Sequence, residues 1–215
     1  MRTRTLAGAM LLCATTLTAQ QDAVTIATRA SQTYRSLTSI RASFEQVIED
    51  RMLGPQRSRG ELAQSGNAYL AMRFTDPAGD AIVLDGTHAW LYAPSTTPGQ
   101  VIRSPIPGDP VYGPNVLARI LDRPAERYAI SLLRTDVLDG APVQVLEFLP
   151  NTADPLFRRA VIWFDRESRL PRRLELDEMT GVRRILTLSR IRANAAVPRR
   201  EFTFEVPPGV RVVDR

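Results

Sequence analysis

The chain has 215 residues, of which 44% are hydrophobic, and a formal net charge of +5. This length predicts one domain with a sizeable apolar core. The sequence contains no lysine, so all of its 28 basic residues are arginine. Walker A nucleotide binding and Schiff-base catalysis both need lysine, and both are therefore excluded.

The N-terminal residues have the pattern of a secretion signal. Arg2 and Arg4 precede the apolar stretch LAGAMLLCATTL, and small or neutral residues follow it. We predict that residues 1–19 are removed and that residues 20–215 form a single mature domain without cysteine. The alternative is that these residues form a buried N-terminal helix. Export also argues against a nucleic-acid partner.

A helix is predicted first, and strands follow it. Apolar residues at spacings of three and four indicate a helix over residues 22–37, with Asp22 placed to cap it. The stretch SIRASFEQVIEDR then alternates apolar and polar residues, as a strand does. Further short runs bounded by turn residues predict strands at about 57–64, 68–74, 80–86, 88–93, 101–104, 127–133, 142–149, 157–165, 170–177, 182–192 and 201–206.

One segment interrupts the strands. Residues 94–114 are rich in proline and glycine, which predicts a loop around one short strand. A short helix over 114–122 follows, with Pro114 at its first position. Leu117, Ile120 and Leu121 belong to its apolar face.

The element order predicts a mainly β protein with a helical lid. About eleven antiparallel strands would twist into an incomplete barrel, and the two helices would cover its concave face. Such a sheet can enclose an apolar cavity, although an ordinary packed core fits the periodicity as well. The alternate residues expected on the concave face are Phe44, Ile48, Leu62, Leu70, Met72, Phe74, Ile82, Leu84, Trp90, Tyr92, Ile162, Phe164, Leu174 and Leu176.

Catalytic and metal chemistry have little support in the sequence. His88 is the only histidine, and without cysteine a typical zinc site is excluded. No G-x-S-x-G nucleophile elbow occurs, so His88 is interpreted as an ordinary residue at the start of a strand. Arginine pairs occur at strand starts or edges, at 158–159, 172–173, 183–184 and 199–200. They are expected to protect the strand edges from pairing with other chains, and the alternative is that they form a docking patch for a partner.

Four stretches occur in a recognisable order, namely ASFEQ at 42–46, GELAQ at 60–64, IVLDGTHAWLY at 82–92 and EFTFEVPPGVRVVD at 201–214. Together they resemble the LolA family of periplasmic outer-membrane lipoprotein carriers. The resemblance implies a monomeric, non-enzymatic periplasmic chaperone without a cofactor. It would receive acylated lipoproteins from an inner-membrane ATP-binding-cassette complex and pass them to an outer-membrane receptor. It also implies that Phe44 faces a lipid cavity and that Leu117, Ile120 and Leu121 help to close it.

The sequence departs from the family pattern at one place. The family has an Arg-Pro pair shortly after the strand that corresponds to GELAQ, and its arginine is associated with closure of the lid. Here Gly66 and Asn67 occupy those positions. The arginine that closes the lid, called the latch below, is therefore absent or replaced by Arg57, Arg59 or Arg73. The alternative functions are a LolA-like binding module or sensor for another lipid and, from a different class, an esterase.

Overall fold

The computed structural model describes residues 13–106 and 115–215, with side chains from Gln21 onward. The predicted signal segment 1–19 and most of the loop before Asn115, including Pro114, therefore lie largely outside the described residues. The elements are α1 Cys13–Ser36, β1 Ser39–Asp50, β2 Gly54–Ser65, β3 Tyr69–Asp76, β4 Ala78–Asp85, β5 His88–Tyr92, β6 Gln100–Pro105, α2 Val116–Ile120, α3 Pro124–Arg127, β7 Tyr128–Leu138, β8 Ala141–Pro150, β9 Phe157–Asp165, β10 Pro171–Glu178, β11 Arg183–Ala193, a 3₁₀ turn at Arg199–Phe202, and β12 Arg211–Asp214.

The strands of the described residues form one open sheet of 12 strands, in the order β12-β6-β5-β4-β3-β2-β1-β11-β10-β9-β8-β7. Neighbouring strands are antiparallel, except that β12 runs parallel to β6. The prediction of a mainly β fold with a few helices is confirmed. The first helix begins earlier than predicted, at Cys13.

Side chains at even-numbered positions share the concave face in most strands. The register pairs Leu70 with Leu84, Leu174 with Ile162, and Phe44 with Leu188, so equal parity is kept from strand to strand. These residues belong to one large apolar cluster, which also contains Ala23, Ala27, Ala30 and Tyr34 of α1 and Leu117, Ile120 and Leu121 around α2. The helices therefore cover the concave face, as predicted.

The turn between β4 and β5 reverses this parity. Val83 is paired with Trp90 and Ala81 with Tyr92, because only Gly86 and Thr87 separate Asp85 from His88. In β5 it is therefore Ala89 and Leu91 that share a face with Ile82 and Leu84. The prediction that the side chains of Trp90 and Tyr92 lie on the concave face is wrong for this reason.

The convex face carries a second, smaller apolar cluster beneath the C-terminal segment. Ala63, Ala71 and Val83 of the sheet pack against Phe202. Phe204 stacks on the ring of Trp90, with the two centroids 5.4 Å apart. The strand predicted at 201–206 is wrong, because this segment instead forms the 3₁₀ turn and an irregular stretch that crosses the sheet.

Candidate functional site

A cavity of about 890 Å³ lies between the concave face of the sheet and the segment around α2. Its wall is mainly apolar and draws on both halves of the sheet and on the helices. The lining residues are Tyr34, Ile40, Gln46, Leu62, Gln64, Leu70, Met72, Ile82, Ala89, Trp90, Leu91, Ile102, Ser104, Pro105, Ile106, Asn115, Val116, Leu117, Arg119, Pro155, Leu156, Phe157, Leu170, Pro171, Leu174, Leu176, Glu178, Arg184, Leu186, Leu188, Ile191 and Arg215.

The structure divides the predicted cavity residues into three groups. Those that line the cavity are Leu62, Leu70, Met72, Ile82, Trp90, Leu117, Leu174 and Leu176. Those that pack in the adjoining apolar cluster without lining the cavity are Phe44, Phe74, Leu84, Ile120, Leu121, Ile162 and Phe164. Two residues belong to neither group: half-buried Ile48, and Tyr92, whose ring packs against Phe204 on the convex face. Trp90 reaches the cavity wall although its ring lies on the convex side.

Phe44 is part of the sealed core. Its side chain is 1% exposed, and its ring meets that of Phe74 edge to face at a centroid distance of 5.0 Å. The ring lies over Gly60, its register partner on β2, where a Cβ atom would come within 2.9 Å of it. Phe44 fills the space above a residue that has no side chain. The expectation that Phe44 faces the cavity is therefore wrong.

Several cavity residues do not follow from the alternation that the sequence analysis used. Leu91 lines the cavity because of the parity change at the β4–β5 turn, and Ile102 lies opposite it on β6. Leu186 and Leu188 of β11 line it beside β1. The alternation in LTLS at 186–189 would have indicated Leu186 and Leu188, whereas the position of Leu91 depends on the length of the β4–β5 turn.

Polar side chains at the cavity wall bond to one another. The hydroxyl of Tyr34 on α1 donates a hydrogen bond of 2.7 Å to Oε1 of Gln64 on β2, and burial raises the pKa of Tyr34 well above its usual value. Arg184 donates to Glu178 at 2.8 Å and to Oε1 of Gln46 at 3.1 Å. These bonds satisfy polar groups that would otherwise be costly to bury.

The segment around α2, called the helical cover below, is held in place by a second set of polar contacts. Ser31 of α1 donates a hydrogen bond of 2.6 Å to the carbonyl oxygen of Leu121. Arg119 of α2 forms a 2.8 Å ion pair with Asp154, and the two side chains are only 14% and 6% exposed. The cover is therefore anchored both to α1 and to the β8–β9 loop.

The described residues contain no group of three or more histidine, cysteine, aspartate or glutamate side chains arranged to hold a metal ion. Among the helices of the described part of the chain, none is long and apolar enough to cross a membrane.

A sequence model of the family described as "Outer membrane lipoprotein carrier protein LolA" matches residues 35–205. The chain belongs to this family. This LolA-family protein is also 28% identical over 191 residues to the outer-membrane lipoprotein carrier protein of Chromohalobacter salexigens, and the match covers 87% of this chain and 86% of the relative.

Solved structures share the fold at low sequence identity. An uncharacterized conserved protein from Thermus thermophilus matches with a TM-score of 0.58 and 15% identity, over 91% of this chain and all of that one (100%). The crystal structure of MucB matches with a TM-score of 0.50 and 18% identity, over 86% of this chain and 63% of that one. These likenesses concern the fold.

The candidates for the missing latch of this LolA-family protein do not contact its helical cover in the described residues. Arg73 donates to the carbonyl oxygens of Glu201 and Thr203 on the convex face. Arg59 pairs with Asp76 at 3.7 Å, and Arg57 is exposed. The polar contact that joins α1 to the strand containing GELAQ is instead the bond between Tyr34 and Gln64.

Proposed function

We propose that this LolA-family protein is a periplasmic chaperone that shields the acyl chains of lipoproteins and carries them from the inner to the outer membrane. The observation that supports this most directly is the apolar cavity of about 890 Å³ beneath the helical cover. Its volume lies near the upper end of the ~300–1,000 Å³ that small-molecule sites occupy. The role involves no catalytic step.

The energetic need for such a carrier follows from the hydrophobic effect. Burial of hydrocarbon is worth about 0.8 kcal/mol per CH₂ group, so a chain of ~16 carbons is worth on the order of 12 kcal/mol. An acylated protein would therefore leave a bilayer for water extremely slowly. A cavity that provides an apolar environment removes most of this barrier.

The proposed partners are those that the transfer requires. This sequence has no Walker A lysine, so the energy for loading would have to come from a partner. We propose that this partner is an ATP-binding-cassette complex in the inner membrane. An outer-membrane receptor would accept the cargo. We propose that the carrier is a monomer, because the sheet and helices of one chain are sufficient to form the cavity.

The test is recovery of the protein from the periplasm of its own cells, followed by mass spectrometry of what it holds. Peptides that carry N-terminal acyl groups would support the proposal. Free phospholipid or fatty acid as the sole bound species would contradict carriage and favour a lipid-binding module or sensor. Reaction of a serine with a fluorophosphonate probe would contradict a role without catalysis.

A further inference from the structure

The tip of the β1–β2 hairpin exposes two large apolar side chains. Met52 is 93% exposed and Leu53 is 74% exposed, the two highest values among the exposed large hydrophobic side chains of the described residues. A single exposed apolar residue needs no explanation, but two adjacent ones on a protruding turn are characteristic of an interaction site.

The backbone holds this tip in one conformation. The carboxylate of Asp50 accepts hydrogen bonds from the backbone N–H groups of Met52 and Leu53, at 2.7 and 3.1 Å. Gly54 closes the turn at φ +75°, a conformation that glycine adopts without strain. The two apolar side chains are therefore presented outward by an ordered turn, which reduces the entropy lost on binding.

Two neighbouring loops present apolar groups at the same end of the sheet. Register places the β10–β11 turn beside the hairpin, because Glu49 is paired with Arg183. Met179 in that turn is 58% exposed, and its N–H donates to the carbonyl oxygen of Leu156, which is 43% exposed. The name "apolar tips" is used below for Met52, Leu53, Leu156 and Met179.

The apolar tips are continuous with the cavity. Leu156 is one of the tips and also lines the cavity, as do Glu178 beside Met179 and Arg184 at the start of β11. A surface that touches the tips would thus lie next to the place where an acyl chain can enter or leave.

Two arginines near the tips are available to bind the phosphates of an anionic surface, whereas the carboxylate of Asp50 is engaged by backbone N–H groups of the turn. Arg51 stands next to Met52, and Arg57 follows on β2; both are exposed, and neither forms an ion pair with another described residue. Arginines beside protruding apolar side chains are the composition that inserts into the interface of a bilayer containing anionic lipids.

We propose that the apolar tips dock this protein directly on the surface of a phospholipid bilayer, with Met52 and Leu53 inserted among the headgroups and Arg51 and Arg57 near the lipid phosphates. This goes beyond the shielding of acyl chains, because it gives the carrier its own affinity for the membrane. It places the mouth of the cavity against the bilayer during loading or release.

The test is flotation of the full chain with vesicles of phosphatidylethanolamine and phosphatidylglycerol. Burial of one large apolar side chain corresponds to roughly tenfold or more in affinity, so the double variant Met52→Gln/Leu53→Gln is expected to lower vesicle binding by at least about tenfold. The matched control is Val137→Gln, since Val137 is 65% exposed but lies near the β7–β8 turn at the opposite end of the sheet. It should bind as the wild type does.

Five results decide whether the tips bind a bilayer. Loss of binding in the hairpin variant alone supports the proposal, as does weaker binding to vesicles of phosphatidylcholine. Absence of wild-type binding overturns it, and so does equal binding by the hairpin variant. If the wild type ignores vesicles while the hairpin variant fails to receive cargo from membranes, the tips contact a protein partner and the bilayer proposal is wrong. Binding of a palmitoylated peptide in solution, measured alongside, reports on the carrier function separately.

Discussion

Replacement of Leu91 by glutamate should weaken acyl-chain binding without unfolding the protein. Leu91 is 44% exposed, yet it lines the cavity between its register partners Ile82 and Ile102. Because the side chain is already partly in water, the change should alter the free energy of unfolding by no more than about 0.5 kcal/mol. At this chain length that corresponds to a shift in Tm of roughly 2 °C or less.

The effect on binding should be larger, because the carboxylate would face hydrocarbon when a chain is bound. We expect the Kd for a fluorescent palmitoylated peptide to rise at least about tenfold, equivalent to ~1.4 kcal/mol. The matched control is Leu149→Glu, since Leu149 is 41% exposed and its odd position on β8 places it on the other face of the sheet. The reasoning is refuted if the two variants lose equal affinity, or if Leu91→Glu binds like the wild type.

Three further predictions concern stability, and urea unfolding measures each of them. Burial alone would raise the pKa of Asp85, but hydrogen bonds from neighbouring N–H groups and a hydroxyl lower it to about 2. The ionised carboxylate therefore stabilises the folded state above pH ~4, and this contribution should be lost as the pH falls to ~2. Asp85→Asn should flatten that dependence, and an unchanged pH slope would contradict it. Arg119→Ala leaves the carboxylate of Asp154 buried and unpaired, which should lower the free energy of unfolding by about 3–5 kcal/mol. If the loss in the double variant Arg119→Ala/Asp154→Ala equals the sum of the two single losses, the two side chains do not interact and the prediction is wrong. Gly60→Ala puts a Cβ 2.1 Å from the carbonyl oxygen of Arg73, so a loss of roughly 1–3 kcal/mol is expected, and wild-type stability would mean that the strands separate freely there.

The sequence was sufficient to predict the fold class and most of the strands. Alternation within each strand is a local property, and the hydrophobic pattern of residues such as Leu70, Met72 and Ile82 records which face is buried. The same pattern does not record how two strands are joined. The two-residue turn at Gly86 and Thr87 therefore reversed the faces of β5, and Leu91 took the place on the cavity side that Trp90 was expected to hold.

The boundary between core and cavity could not be predicted from alternation. Phe44 and Leu62 are both concave-face residues of adjacent strands, yet Phe44 is sealed and Leu62 lines the cavity. The difference arises because Gly60 leaves a space that the ring of Phe44 occupies. Likewise, the segment at 201–206 alternates like a strand, but it packs Phe202 and Phe204 across the convex face instead of joining the sheet.

The mixed character of the cavity wall bears on the direction of transfer. An acyl chain gains about the same hydrophobic energy from any dry apolar environment, so a wholly apolar cavity would hold it as firmly as a bilayer does. The wall of this cavity also contains the amides of Gln46 and Gln64 and the charged pair of Arg184 and Glu178. These groups bond to one another or to the backbone, but they offer an acyl chain less favourable contact than hydrocarbon does. Under the proposed function, release into a membrane is then downhill and loading is uphill, which is the arrangement expected of a carrier whose loading step is coupled to an ATPase.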